Sequence, residues 1–442
     1  MPPPLMAPVE EMLARLDRAL ASSPADETEL VWIEARRGQE SNGKRRRDSF
    51  ENPERNLLVR VRESGRIGLH RTNAAGPSDL ENAIRDALGQ ARLAQPAPPS
   101  LQPPGAADPL PRTPELADPE IERMAPARAR DLIQRQADRG EIGWLGWCDG
   151  RMAVVNSRGL RRATDATAIW LVASCGRAAG SGRAAAAARS LEALAPEAVF
   201  DRARRRHAPG GDPVAEPPDG PVPLVLSPEA AAALMDLLNR EALGSSTFRD
   251  SALCGGLGAA VCHPAITLRD DGTDPRGLPF PFDFLGAAKR PMNLIEQGVL
   301  RTPAVDERLA AEIDRAPTPH LIAPDEALAA HLFLQPGEEP DEELLRRAGG
   351  GLWVTWLDLP RVFDPAALRF RAYLRGVRRL EGGALGAAVP DLVWEDSLPA
   401  LLARVLGVGR TAVTAVAAAD PLFGATTAPM LAFESVQGLR TA

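Results

Sequence analysis

Several residue types are scarce in this 442-residue chain, which contains five histidines, four cysteines and one tyrosine. The single tyrosine, Tyr373, argues against an aromatic platform on which single-stranded nucleic acid would stack. A net charge of −7 argues against a nucleic-acid binder that depends on its overall electrostatic field. The four cysteines form no Cys-x-x-Cys pair, which indicates reduced and mostly buried thiols.

Long apolar runs are also missing. No window approaches the roughly 20 apolar residues that a membrane-spanning helix needs. The most apolar stretch, Ile169 to Cys175, has the length of a β-strand. The first residues lack the basic segment and the apolar core of a signal peptide. We therefore expect a cytoplasmic protein that does not contact a membrane.

Two stretches rich in proline and glycine divide the sequence into three folded units, as its length suggests. The predicted organisation is an N-terminal α+β unit (1–95), a proline-rich linker (96–114), a second α+β unit (115–208), a linker (209–221) and a C-terminal domain (222–442). The order of predicted elements indicates an α+β fold. Two small α/β units form the N-terminal region, and a larger, mainly antiparallel β domain with a curved or barrel-like sheet follows.

Hydrophobic periodicity predicts individual helices and strands within these units. Alternating apolar and charged residues predict a strand over 57–61. The alanine-rich run after Arg183 is interpreted as a loop that leads into a helix. A further helix, Pro228 to Leu243, has a well-specified start, because Ser227 can cap it and Pro228 occupies its first position.

Four short motifs follow one another along the chain. They are Gly65-Arg66-Ile67-Gly68, the strand and Asn-Ser-x-Gly turn of Val154 to Leu160, Phe282 to Gly286 followed by Asn293 to Leu300, and Leu334 to Glu338 followed by Gly350 to Thr355. Each motif is weak alone, but their order and spacing over nearly the whole chain are similar to those of the TldD/PmbA family. The chain resembles the TldE (PmbA)-like members, which are relatives of a zinc peptidase.

The active, TldD-like members of this family resemble one another in a helix bearing His-Glu-x-x-x-His, with a further ligand, often cysteine, near the C-terminus. Two imidazoles and a thiolate can hold zinc with one position open for water, and the glutamate can take a proton from that water. On the matching helix of this chain, the three motif positions are occupied by Asp236, Leu237 and Glu241. Leu237 cannot act as a base, and the stretch from Ala417 to Thr427 contains no cysteine. The resemblance therefore implies no catalytic residue, no metal and no other cofactor in this chain, with zinc expected in a catalytic partner.

A relocated metal site is the alternative. No two histidines have the spacing of zinc ligands on a helix. The pair Cys262-His263 is interpreted as a core thiol beside a loop histidine. His320 and His331 could instead converge in the fold with Asp325 or Glu326.

Other catalytic patterns are weaker still. Gly244-Ser245-Ser246 lacks the Gly-x-Ser-x-Gly pattern of a nucleophile elbow. Asp270 and Asp271, which a glycine follows, are interpreted as a turn and not as an acid–base pair.

The resemblance implies a non-catalytic subunit that pairs with a TldD-like catalytic metallopeptidase and acts on unfolded peptides or modified-peptide precursors. Its partners are then that subunit and a peptide substrate, without nucleic acid. The alternatives are a free-standing peptide-binding or scaffold protein, and a peptidase with a relocated metal site. Besides the degenerate helix, the candidate residues of a peptide chamber are those of the loop that follows it: Ser245, Thr247, Phe248 and Arg249.

The partner interface is predicted to use apolar segments of the C-terminal domain. The candidate segments are 352–359, 389–394 and 429–433. Trp353, Trp356 and Trp394 are the candidate anchors, since buried aromatic side chains often dominate binding energy. The alternative is that these tryptophans fill the core of the chain itself.

Overall fold

A computed structural model describes most of the chain. The described residues are 6–43, 49–74, 76–97, 105, 109–138, 140–176, 179–208, 215–416 and 420–442. Most of the predicted linker 96–114 and residues 209–214 of the second linker lie outside this set. Among the described residues, no helix is both long and apolar enough to cross a membrane.

The N-terminal region is built on one antiparallel sheet, which has six strands in the described part of the chain. These are β1 (Glu27–Ser41), β2 (Phe50–Glu63), β3 (Arg66–Thr72), β4 (Ile142–Asn156), β5 (Arg161–Cys175) and β6 (Gly182–Ala188), in the order β3-β2-β1-β4-β5-β6. The predicted strand over 57–61 lies within β2. Strands from both predicted N-terminal units share this sheet, because β1 pairs with β4 from Glu29 opposite Asn156 to Ser41 opposite Trp144.

Helices cover one face of this sheet. They are α1 (Val9–Ala21), α2 (Pro77–Leu93), α3 (Pro119–Glu122), α4 (Pro126–Gln136), α5 (Leu191–Leu194) and α6 (Pro196–Arg206). Successive strand residues point to opposite faces. Leu30 and Trp32 of β1 therefore pack against α1 and α2, whereas Val31 and Ile33 face the C-terminal region. Both faces of β1 are buried.

The interpretation of the alanine run as a loop is wrong, since residues 182–188 form strand β6 and pair with β5. Small side chains suit this strand because α6 packs closely over it. A Cβ atom at Gly182 would lie 2.0 Å from the carbonyl oxygen of Ala203 in α6. Local composition did not reveal the strand because its partner, β5, supplies the hydrogen bonds.

The C-terminal region contains short helices and three sheets in its described residues. The helices are α7 (Pro228–Leu238), α8 (Glu307–Ile313), α9 (Asp341–Arg347) and α10 (Leu398–Leu402). The strands are β7 (Val222–Leu226), β8 (Leu268–Asp270), β9 (Met292–Glu296), β10 (Val299–Leu300), β11 (Leu321–Ala323), β12 (Glu326–Ala327), β13 (His331–Leu334), β14 (Leu352–Asp364), β15 (Arg369–Glu381), β16 (Ala384–Ala388), β17 (Leu392–Ser397), β18 (Val405–Val408), β19 (Val413–Ala415), β20 (Ala425–Ala428), β21 (Leu431–Val436) and β22 (Leu439–Thr441).

One sheet of this region has the order β18-β21-β7-β14-β15-β17-β22, with β16 beside β15. A second has the order β10-β9-β8-β13-β20-β19, and β11 pairs with β12. Pairing is mainly antiparallel, and β7–β14 and β13–β20 are parallel. The predicted α+β fold is confirmed. No sheet closes into a barrel in the described part, so the barrel-like alternative is excluded.

The two regions are joined by buried polar contacts. Glu229 at the start of α7 forms an ion pair with Arg206 of α6 at 2.9 Å and accepts a hydrogen bond from the backbone of Ala185. On the other side, Arg60 of β2 pairs with both Glu29 and Glu307. Because these charges are buried with their partners, loss of any one partner would leave an uncompensated charge inside the protein.

Candidate functional site

Helix α7 lies where the resemblance places the metal motif, and its start is as predicted. The Ser227 hydroxyl accepts a hydrogen bond from the backbone N–H of Ala230 at 3.2 Å, and Pro228 begins the helix. Ten of the eleven helix residues are buried. A helix buried on nearly all sides belongs to the core and is held rigidly by its surroundings.

The predicted helix 228–243 is not α-helical to its end, because Asn239–Leu243 form a π-helical turn. A π turn bonds residue i to residue i+5, and such turns are frequent at functional sites. The turn follows Asp236 and includes Glu241, which are five residues apart. The wider turn brings these two positions closer to one face than a regular α-helix would.

The guanidinium of Arg240 joins these two carboxylates. Its Nε donates to Asp236 at 3.0 Å, and one terminal nitrogen donates to Glu241 at 3.3 Å. Asp236 is 6% exposed, whereas the side chains of Arg240 and Glu241 are 32% and 29% exposed. A fixed cation therefore contacts both carboxylates that stand at the histidine positions of the zinc motif.

Leu237, at the position of the catalytic glutamate, is fully buried in the main core of the C-terminal region. It offers no atom that could take a proton from water. Carboxylates bridged by an arginine also do not match the imidazole and thiolate ligands that zinc prefers. The residues on this helix do not fit a zinc site.

We expect the purified chain to hold no stoichiometric zinc. Arg240 would repel a divalent cation from Asp236 and Glu241, and neither residue is a preferred zinc ligand. Elemental analysis after gel filtration checks this, with a family member that keeps His-Glu-x-x-x-His as the positive control. Zinc near one equivalent per chain that survives mild chelation would contradict the prediction.

The loop after the helix contains the four predicted chamber residues. The Ser245 hydroxyl accepts a hydrogen bond from Ala327 at 2.9 Å, and the Phe248 ring is fully buried in the core. Thr247 donates to the carbonyl of Arg240 at 2.8 Å. Thr247 and Arg249 are half-buried, and Arg249 pairs with Glu312 on α8. Their role in a peptide chamber stays a prediction.

The C-terminal stretch 417–427 is described from Asp420 onward, and residues 417–419 lie outside the described set. Asp420 accepts hydrogen bonds from both terminal nitrogens of Arg37 in β1, at 2.8 and 2.6 Å. The segment that carries the last metal ligand in active relatives therefore contacts the N-terminal sheet in this chain.

His320 and His331 do converge, but on Asp270 and not on the predicted Asp325 or Glu326. Nε2 of His320 lies 3.2 Å from one carboxylate oxygen of Asp270, and Nδ1 of His331 lies 4.0 Å from the other. Nζ of Lys289 lies 3.7 Å from the same carboxylate. All four side chains are buried. The predicted turn begins at Asp271, whose carboxylate accepts a hydrogen bond from the backbone of Thr273 at 3.0 Å. Asp270 itself is not a turn residue, because it ends strand β8 inside the protein.

The charge states within this cluster follow from burial. Burial lowers the pKa of His331 to about 3, and the charge of Lys289 acts in the same direction. Burial also lowers the pKa of His320. Although burial opposes its ionisation, the pKa of Asp270 is held well below its usual value, chiefly by the charge of Lys289. At neutral pH the cluster is therefore an Asp270–Lys289 ion pair flanked by two neutral imidazoles.

The neutral His331 makes stability depend on pH. Its unfolded pKa near 6.5 lies above the folded value, so the unfolded chain binds the extra proton and stability falls as pH drops below about 6.5. For one such group the loss is about 2 kcal/mol at pH 5. We expect His331→Gln to lose less stability between pH 7 and pH 5 than the wild type in urea denaturation. His263→Gln, in a half-buried loop, is the matched control, and equal pH dependence in wild type and His331→Gln would contradict the prediction.

The cluster does not amount to a metal site. Among the described residues, no group of three or more histidine, cysteine, aspartate or glutamate side chains could hold a metal ion. The lysine ammonium beside Asp270 would also compete with a cation for that carboxylate. The alternative of a relocated metal site gains no support from these residues.

The sequence of the C-terminal region identifies the class of protein. Residues 219–438 match the model of the PmbA/TldA metallopeptidase C-terminal domain. The chain belongs to the TldD/PmbA family. No curated protein matches it in sequence.

Solved structures share the fold over almost the whole chain. TldE from Thermococcus kodakarensis has a TM-score of 0.79 at 19% identity and covers 97% of this chain and 99% of its own. A candidate modulator of DNA gyrase from Thermotoga maritima has a TM-score of 0.78 at 20% identity, covering 97% and 98%. Another, from Bacteroides thetaiotaomicron, has a TM-score of 0.76 at 18% identity, covering 99% and 100%.

Proposed function

We propose that this chain is the non-catalytic, TldE-like subunit of a cytoplasmic TldD/TldE-type zinc metallopeptidase complex that degrades or trims unfolded peptides or modified-peptide precursors. The observation that carries the proposal is the helix at the metal-motif position. There Arg240 bridges Asp236 and Glu241, and Leu237 is part of the core. A family member that cannot build the metal site contributes to peptide cleavage through a partner that can.

The helix is degenerate but remains well ordered, which favours a structural role over loss of function. Its N-cap, its π turn and its ion pair to the N-terminal region through Glu229 are all present. A subunit of this kind stabilises its catalytic partner or forms a wall of the peptide chamber. Both roles require a specific interface between the two chains.

Trp353 and Trp394 do not supply that interface, so their prediction as anchors is wrong. Trp353 is 4% exposed, and Trp394 is fully buried between Phe370 and Phe433. Trp356 is half-buried, with the guanidinium of Arg183 centred 3.8 Å from its ring. The alternative that the tryptophans fill the core of the chain is correct for the first two.

The outer half of the β14–β15 hairpin is a better candidate for the interface. Its inner half is buried, but Leu359 is 70% and Phe363 48% exposed. They belong to a short set of large apolar side chains exposed in the described part of the chain. Exposed apolar side chains grouped on one element are typical of contact surfaces. We propose that this hairpin docks on the catalytic partner.

Coexpression with a TldD-like relative from the same genome tests the assembly. We expect one complex that survives gel filtration at micromolar concentration. The double variant Leu359→Asp/Phe363→Asp should raise the Kd by about 30-fold or more, because it places charge at two apolar contacts. Leu93→Asp, which changes a still more exposed leucine on α2, is the matched control and should leave the complex intact. Separate elution of the two wild-type proteins would instead favour a free-standing peptide-binding protein.

A further inference from the structure

A cavity of about 380 Å³ lies between the N-terminal sheet and the C-terminal region. Val31, Ile33 and Met152 of the sheet form one wall. Phenylalanine rings form much of the opposite wall, and Phe280 packs edge-on against Phe282 and Phe423 with centroids 5.4 and 5.3 Å apart. Ligand sites are commonly apolar cavities of this size with a few placed polar groups.

Among the polar residues that line this cavity, Lys289 and His331 are both buried. Lys289 is 5% and His331 2% exposed. Neither ring nitrogen of His331 has a hydrogen-bond partner among the described residues. For the ammonium of Lys289, the contact found in the described part is the 3.7 Å ion pair with Asp270, which is longer than a hydrogen bond. Buried polar atoms without partners, such as the two ring nitrogens of His331, are rare, and each one calls for an explanation.

The charge balance decides what kind of ligand would complete these groups. Formal charges among the lining residues cancel: Arg37, Arg71 and Lys289 oppose Glu54, Asp283 and Asp420. Asp270, behind Lys289, adds one further negative charge. This excess negative charge would repel an anionic ligand, and the ammonium of Lys289 would repel a cationic one. A neutral acceptor oxygen can accept from Lys289 without adding charge.

We propose that this cavity binds an uncharged aromatic group that carries a carbonyl oxygen, with the oxygen accepting a hydrogen bond from Nζ of Lys289. The phenylalanine rings hold the aromatic part through edge-to-face contacts. An aromatic residue within a peptide and a free aromatic amide both present this chemistry. The site is separate from the degenerate helix, and its occupation does not depend on a partner chain.

Isothermal titration calorimetry of the full chain tests the site with three probes. They are N-acetylphenylalaninamide, the corresponding free acid, and a capped pentapeptide with central phenylalanine and glycine elsewhere. We expect saturable one-to-one binding of the amide. The acid should bind at least about tenfold more weakly, which is the effect expected when one charged hydrogen bond is lost or opposed. Tighter binding of the pentapeptide assigns the site to peptides, and equal binding assigns it to small molecules. Absence of saturable binding by both uncharged probes overturns the proposal.

Two variants locate the binding. Lys289→Met should weaken amide binding by about tenfold. Ala323→Phe fills the cavity from a half-buried lining position and should abolish binding. Ala311→Phe, at an exposed position on α8, is the matched control. Unchanged binding in Ala323→Phe would overturn the proposal, whereas gel filtration of the same variant with the catalytic relative reports separately on the proposed subunit role.

Discussion

Replacing Arg189 by methionine is expected to lower the free energy of unfolding by about 3–5 kcal/mol, because it leaves several buried carbonyls without a donor. The guanidinium is buried and donates to main-chain oxygens on three segments. The acceptors are Thr167 on β5, Leu278 and Pro279, and Pro421 and Leu422, at 2.8–3.4 Å. The Arg189 side chain therefore stabilises the contact between the C-terminal region and the N-terminal sheet.

Burial lowers the pKa of Arg189 to about 9, so the guanidinium remains charged at pH 7. Lysine has fewer donors and no planar fork, so Arg189→Lys should recover only part of the loss. Arg205→Met, on the exposed face of α6, is the matched control and should change stability by less than about 0.5 kcal/mol. Urea denaturation measures all three variants. A loss below about 1 kcal/mol in Arg189→Met would show that the carbonyls find other donors.

Leu237→Glu should destabilise the chain by about 4 kcal/mol at pH 8, since it removes core packing and buries a carboxylate without a cation beside it. Burial raises the pKa of such a carboxyl, so its penalty should shrink as pH falls toward 5. Leu237→Met, which conserves volume, is the control and should cost less than about 1.5 kcal/mol. A Leu237→Glu protein as stable as the wild type would mean that this position opens to solvent.

This result bears on restoring the metal motif. Proton transfer from a zinc-bound water would require glutamate at position 237. The same substitution is expected to destabilise the core. Asp236→His and Glu241→His would in addition release Arg240 from both of its partners on the helix. Asp236, Leu237 and Glu241 therefore belong to a packed and ion-paired structure in this chain.

Local sequence patterns predicted the elements whose signals are local. The start of α7 followed from Ser227 and Pro228, and the core of β2 followed from its alternation. The identity of β6 could not be predicted in this way, since alanine alone does not favour a strand and the pairing with β5 decides it. The π turn after Leu238 also left no signal in the residue types.

In the candidate site, too, some features could be predicted from the sequence and others depend on the fold. The departure of Asp236, Leu237 and Glu241 from the His-Glu-x-x-x-His pattern is a property of residue identity, which the sequence alone shows. The convergence of His320 and His331 on Asp270 joins residues 50 and more positions apart, and the pairing of β13 with β8 is what brings His331 to Asp270. No local spacing rule could have found it.

Peptide hydrolysis by the reconstituted pair tests the central claim most directly. We predict no hydrolysis of an unfolded peptide by this chain alone and clear hydrolysis by the pair. Activity of the pair should disappear when the motif glutamate of the catalytic relative becomes glutamine, and should persist when Asp236 and Glu241 of this chain become alanine. Hydrolysis by this chain alone that is lost in Asp236→Ala/Glu241→Ala would contradict the account and make the chain a peptidase in its own right.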